Sequence, residues 1–391
     1  MKAGLAFLVL GYVLSQFYRA FLAVLAPVLG AEIGATPEDL ARASGLWFAA
    51  FALMQIPVGW ALDTIGPRLT ASVLFAVGGA GGAAVFALAQ DPETLQIAMA
   101  LIGIGCSPVL MASYYIFARV YPPAMFATLA GVTVGVSSLG NIASALPMAV
   151  AIDAFGWRET VMAMAVLTLG IALGMALLVQ DPAKPEGEPK GSLLDILRIP
   201  GLWPILAMML VCYAPAAGIR GLWVAPFLTD IHGATLAQIG TVTLLMGLAM
   251  AAGSLTYAPL DRLLGTRKWV VLGGNLVVAI CCLTFWMAPM APYGMAILLV
   301  TMTGLFGASY AVVIAHGRSF LPGHLTGRGV TLLNLFGMGG AGVMQFASGP
   351  YFARLSASHA PPQAFGTLFG VFGAAVLLGC AVYIFSRDRA D

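Results

Sequence analysis

The stretch "ALDTIGPR", residues 61–68, has a partial copy in "PLDRLLGTRK", residues 259–268. Each closes an apolar run, and Asp63 aligns with Asp261 at an offset of 198 residues. Other matches keep that spacing within a residue. "ARVYPP" (118–123) against "GRSFLP" (317–322) pairs Arg119 with Arg318, and "GVT" recurs at Gly131 and Gly329. A repeat of this length, embedded in apolar sequence, divides the chain into two copies of one helical unit.

Composition names the solvent. The apolar set is 60% of 391 residues and only 9% are charged, where a soluble domain carries about 25%. Mean hydropathy is +0.95. Runs long enough to span a bilayer fall near 4–30, 41–62, 69–90, 95–118, 127–152, 158–179, 201–228, 236–260, 268–288, 293–317, 327–352 and 363–386, here spans 1 to 12. The expectation is an all-α polytopic membrane protein of twelve transmembrane helices in two pseudo-symmetric six-helix bundles. Residues 1–180 and 201–391 form the bundles. The Pro- and charge-rich "QDPAKPEGEPKGSLLDILRIPG" supplies a linker over 181–200, amphipathic at Leu193, Leu194, Ile196 and Leu197. Net charge is +2, no footprint for nucleic acid. The five cysteines lie in apolar runs without a CxxC pair, so they read as packing residues rather than disulfides or zinc ligands. The N-terminal run lacks a small-residue cleavage site and reads as a retained first helix.

Lysine and arginine set the orientation. With the N-terminus inside, thirteen basic residues fall on the cytoplasmic side and three (Arg42, Arg158, Arg354) outside. Both termini are then cytoplasmic, in a cell (inner) membrane. Two basic residues remain, each inside a span: Arg19 in "YVLSQFYRAFLAVLAPVLG" (12–30) and Arg220 in span 7. Tyr12 and Tyr213 precede them by seven residues, on the same helical face. A charge at a bilayer centre costs several kcal/mol, from ~3 upward. All sixteen carboxylates fall at span ends or loops. A planar guanidinium fork suits a carboxylate or phosphate, and an anionic cargo would offset the cost of burying it.

The twelve spans, the 6+6 repeat and "GWALDTIGPR" (59–68), with Gly59, Asp63, Gly66 and Arg68, resemble the major facilitator superfamily. The second copy keeps Asp261, Gly265 and Arg267 but has Tyr257 at the first glycine's place. "FYRAFLAVLAPVL" followed by "FALMQIPVGWALDTIGPR" is similar to the organophosphate-antiporter and organic-anion branches. The resemblance implies a substrate path between the halves, lined by spans 1, 4, 7 and 10 with help from 2, 5, 8 and 11. It places Arg19 and Arg220 at the midplane. Around them the expected binding residues are Tyr12, Gln16, Tyr213, Trp223, Tyr114, Tyr115, Asn141, Tyr310 and Asn334. Gly59, Asp63, Arg68, Arg119, Asp261, Arg267 and Arg318 form the expected gate. In that reading Gly59 permits close helix approach, and Asp63 bonds a helix N-terminus and pairs with Arg119 or Arg68. Asp261 and Arg318 repeat the arrangement in the second half.

Departures narrow the chemistry. No acid stands beside Arg19 in Phe17-Tyr18-Arg19, Met99 replaces the arginine of a proton-coupled pattern in span 4, and "GNIASALP" (140–147) replaces a drug exporter's glycine-proline motif. These favour exchange or facilitated transport of a small organic anion by a monomer, with no cofactor, no resident metal and no enzymatic activity. Alternatives are an inorganic anion such as nitrate, a neutral vitamin, copper at the methionine pair of "MGLAM" (Met246, Met250), or a receptor on a transporter fold, expected to carry a soluble domain. His316, two residues before Arg318, reads as part of a helix-end network.

Overall fold

The structure is a computed structural model that describes residues 2–389 apart from 122, 183–192 and 322–325. Within helices, the side chains of residues 2, 63, 118, 123–128, 130, 131, 193, 194, 258, 259, 262 and 326–328 lie outside the description. Helices, two of them broken, account for all twelve spans, and their ends differ from the sequence expectation by no more than four residues. α1 is Lys2–Tyr18 plus Phe21–Ile33, a pair bent by 46°. α2 (Pro37–Leu62), α3 (Pro67–Leu88) and α4 (Pro92–Phe117) follow. α5 is Pro123–Ala143 plus Leu146–Phe155, with a bend of 41° at the break, and α6 is Trp157–Leu178. The second set is α7 (Pro200–His232), α8 (Leu236–Leu264), α9 (Lys268–Met287), α10 (Tyr293–Arg318), α11 (Thr326–Ser356) and α12 (Pro361–Tyr383). Ten of these helices are long and apolar enough to cross a membrane by themselves, twelve if each bent pair is one span.

Two compact units result, Met1–Gly187 with α1–α6 and Glu188–Asp391 with α7–α12. In the first, α2 packs on α4, and α1 on α5 and α6; in the second, α9 packs on α12, and α7 on α11 and α12. A Cβ on Gly140 of α5 would strike the Val13 carbonyl of α1, and one on Gly340 of α11 would strike the Leu210 carbonyl of α7. Only a residue without a side chain lets these backbones meet.

The repeat extends to the helix caps. α1 and α7 end on left-handed Gly34 (φ 67) and Gly233 (φ 61), 199 residues apart. Thr36 and Thr235, again 199 apart, open α2 and α8 as capping boxes with Asp39 and Gln238. There the threonine hydroxyl accepts a backbone N–H and the partner side chain accepts the threonine's own. The caps give the two units a common ruler of 199 residues.

Prolines and local crowding interrupt the helices. Pro108 in α4 has no N–H for the Ile104 carbonyl, which takes the Ser107 hydroxyl at 2.7 Å instead. α3 carries a π-helical turn over Phe75–Ala80 and α10 a 3₁₀ turn over Gly307–Ser309. Two further irregularities lie at the arginines.

Candidate functional site

Arg19 stands inside the first span, at the break between the two halves of α1. The Ala20 N–H closes a tight turn onto the Phe17 carbonyl at 3.1 Å rather than continuing the α-helical ladder. Phe17, Tyr18 and Phe21 crowd this turn with ring centroids 5.5–5.7 Å apart. The Tyr18 hydroxyl bonds Thr168 of α6 at 2.8 Å; because Thr168 gives its own hydrogen to Met164, Tyr18 is the donor. Arg19 is only 7% exposed. Its guanidinium lies 5.0 Å from the Phe51 ring centroid, 5.3 Å from Trp47 and 5.8 Å from Tyr12. Aromatic faces attract a cation most strongly where water is excluded. Trp47 and Phe51, stacked at 5.2 Å, come from α2. Neither has a local signal in the sequence near Arg19.

Arg220 is 4% exposed and lies in a π-helical turn, Ile219–Trp223, inside α7. Such one-residue insertions recur at functional sites. Its guanidinium covers Gly247 of α8: a Cβ there would stand 3.2 Å from Nη2 and 3.4 Å from Nε. Tyr213 stacks at a tilt on Tyr310 of α10, 5.5 Å between centroids, and the Tyr310 hydroxyl donates to Asn334 of α11 at 2.8 Å. Three of the residues singled out in the second half therefore meet one another.

Others fall elsewhere. Trp223 is fully buried, gives its indole N–H to Ser348 at 2.9 Å and packs against Phe352 and Phe365. Tyr115 holds Arg119 over its ring at 4.2 Å. Tyr114 is half-buried near Phe117, and Asn141 is half-buried ahead of the break in α5. Met246 and Met250 pack on α10, where a Cβ on Gly304 would meet their Cγ atoms at 2.8 and 3.2 Å. No group of His, Cys, Asp or Glu that could hold a metal occurs among the described residues. The five cysteines are free and buried. Among the described residues no Asp or Glu is buried.

At the loop motifs, the anions on the helix N-termini are ones the sequence reading missed. The Arg68 N–H at the start of α3 donates to Asp181 at 2.8 Å, and the Arg68 Nε is 3.7 Å from the same carboxylate. Asp181 lies just beyond α6. In the second unit Asp388, beyond α12, accepts the N–H groups of Arg267 and Lys268 at 3.1 Å each and the Thr266 hydroxyl. A helix N-terminus favours an anion. Burial pushes the Asp388 carboxyl up, but the Thr266 hydroxyl, the two N–H groups and nearby His316 outweigh it and hold it below its ordinary value. The signal available was an aspartate shortly after the sixth span of each half.

The gate needs one correction. Asp261 pairs with Arg267 at 3.1 Å, six residues on, whereas Arg318 is exposed and makes no ion pair among the described residues. A Cβ on Gly59 would meet no described atom within 4 Å of it. The side chain of Asp63 lies outside the described residues. His316 is fully buried in a network: Nε2–H donates to the Arg387 carbonyl at 2.9 Å, which leaves Nδ1 to accept the Tyr383 hydroxyl at 2.6 Å.

A family model described as Major Facilitator Superfamily matches residues 8–224, more than half of the chain. The chain belongs to that superfamily. Among facilitator proteins it is 26% identical over 264 residues to a probable sulfoacetate transporter, SauU, of Cupriavidus necator, a match spanning 62% of this chain and 60% of that relative. It is 24% identical to the hexuronate transporter of Escherichia coli K12, over 97% of this chain and 92% of that one. Among solved structures, a bacterial homolog of the human lysosomal transporter Spinster superposes with a TM-score of 0.74 at 17% identity, covering 98% of this chain and 96% of that one. A D-xylose–proton symporter gives 0.74 at 14%, covering 96% and 97%. Such distant likeness shows the fold alone. The protein is a multi-pass membrane transporter of the facilitator superfamily and not an enzyme.

Proposed function

We propose that the protein moves a small organic anion, a carboxylate or phosphate ester, across the inner membrane by alternating access, with exchange as its favoured mode. One observation carries the reading: each unit buries one arginine inside its first span, Arg19 at 7% exposure and Arg220 at 4%. A buried permanent charge is costly, and in a transporter it marks the solute's path. The names of two relatives support the sign, since sulfoacetate and hexuronate are both organic anions. Tyr12, Gln16, Tyr114, Tyr213, Tyr310 and Asn334 complete the proposed binding set; Trp223 and Tyr115 belong by their contacts to packing and to the Arg119 end of α4. Both termini face the cytoplasm, residues 181–200 link the bundles there, and the working unit is a monomer.

Exchange follows from charge. An empty carrier with two fixed positive charges reorients through low dielectric at a cost that a bound anion removes. The test is counterflow into proteoliposomes with carboxylates, sulfonates, phosphate esters and neutral solutes. Internal cold anion should accelerate uptake of labelled anion several-fold, and a proton gradient alone should drive little. Uptake restricted to neutral solutes would overturn the anion reading; concentrative proton-driven uptake into empty liposomes would overturn exchange.

A further inference from the structure

Of the buried polar atoms on α1 and α2 that lack a hydrogen-bond partner among the described residues, one lies on a ring beneath Arg19 and one on a residue three before it. The Trp47 side chain is fully buried, with its Nε1–H lacking a hydrogen-bond partner among the described residues. Both its stacking on Phe51 and its contact with the Arg19 guanidinium use the face of the ring. A phenylalanine would keep both contacts without burying an unmet donor, so packing does not explain the indole. The second atom is Oε1 of Gln16, also buried and lacking a partner among the described residues. Gln16 precedes Arg19 by three residues, a spacing that puts neighbours on one helical face. Native proteins satisfy nearly all buried polar groups, and an exception is a place where a water, an ion or a ligand can bond.

We infer that Trp47 and Gln16 select the cargo's class: an organic acid bearing a hydroxyl near its acid group. The inference rests on the anion reading and names the substrate class within it. An acid group on Arg19 offers lone pairs to the Trp47 N–H. It offers nothing to the Gln16 carbonyl, which accepts only. A hydroxyl on the carbon next to the acid supplies the missing donor, and its oxygen is a further acceptor for the indole. A deoxy acid leaves Gln16 unmet. Sites built to bond a hydroxyl reject the analogue lacking it far better than apolar pockets reject an extra group.

The experiment measures inhibition of counterflow by paired acids, mandelate against phenylacetate and lactate against propionate, with full-length protein in liposomes. The native protein should prefer the hydroxylated member of at least one pair by about tenfold or more, the effect of a hydrogen bond to a buried group. Trp47→Phe and Gln16→Met should each lower that preference about tenfold, by weakening the hydroxylated acid more than the deoxy acid. Gln16→Met carries the test alone if Trp47→Phe does not fold. Equal losses for both members, or no loss for either, overturn this assignment and leave the anion reading standing. Failure of every acid to compete in the native protein overturns both.

Discussion

α1 at Arg19 and α7 at Arg220 solve one problem with different backbones. α1 breaks and bends by 46°, whereas α7 continues through a π-helical turn. By the ruler of the caps the two arginines are not in register. Arg19 stands fifteen residues before Gly34 and Arg220 thirteen before Gly233. In a regular helix a two-residue slip turns a side chain by roughly 200°, to the opposite face. Yet both guanidiniums face the equivalent neighbour at the same level: Trp47 and Phe51 of α2, and Gly247 of α8, 11 to 15 residues beyond the threonines that cap those helices. The broken turn and the π turn lie in the interval where the phase must be reset. What the repeat preserves is the placement of a charge against a neighbouring helix. The wall it meets differs: rings in one unit, bare backbone in the other.

The strongest test of that equivalence removes the charges. Arg19→Ala and Arg220→Ala should each lower counterflow about a hundredfold or more, the scale of a lost charge-assisted contact in a desolvated site. Both proteins should stay folded in detergent, because among the described residues no buried carboxylate would be left behind as an uncompensated charge. Arg→Lys at either place should recover little, since the fork is lost. Full activity in one variant alone would make the pair unequal in function as well as in scaffold.

The walls come next. Gly247→Ala places a methyl 3.2 Å from the Arg220 Nη2. Overpacking of that kind costs about 1–3 kcal/mol, so half-saturation should rise about tenfold. Phe51→Leu removes one ring under Arg19, a contact worth about 0.5–2 kcal/mol, and should raise it about threefold to tenfold. If the glycine variant is silent and the ring variant is not, the aromatic side alone positions a charge.

Much of this comparison was legible beforehand and part was not. Twelve spans, the repeat and the arginines announce themselves through hydropathy and rare charges, which are properties of a residue and its near neighbours. Tyr213, Tyr310 and Asn334 were each singled out because a polar residue in an apolar span stands out; that they contact one another was not legible. Trp47 was not: a tryptophan in an apolar helix is unremarkable until α2 folds onto α1. The slip between arginines and caps was also hidden, because the arginines align at 201 residues in sequence while the caps align at 199. Asp181 and Asp388 bond backbone groups 113 and about 120 residues away. Nothing in a loop aspartate declares which helix start it will reach.

These two aspartates offer the smallest and sharpest contrast between the units. Among the described residues Asp181 takes one backbone N–H, that of Arg68, whereas Asp388 takes those of Arg267 and Lys268 together with the Thr266 hydroxyl. An anion at a helix N-terminus is worth about 0.3–1 kcal/mol, so Asp388→Asn should speed amide hydrogen exchange at Arg267 and Lys268 by about twofold to fivefold. Asp181→Asn should act on Arg68 alone. The pH dependence has a definite sign. The Asp388 carboxyl is held below its ordinary value, near 3.9 in an unfolded chain, so its contribution is complete above that value. It is lost only as pH falls through the lower, folded value. Protection at Arg267 and Lys268, corrected for intrinsic exchange, should therefore stay level from about pH 8 down to 5 and fall only in stronger acid. A loss of protection already above pH 5 would point instead to another tie of the same C-terminal segment, such as the His316 bond to the Arg387 carbonyl.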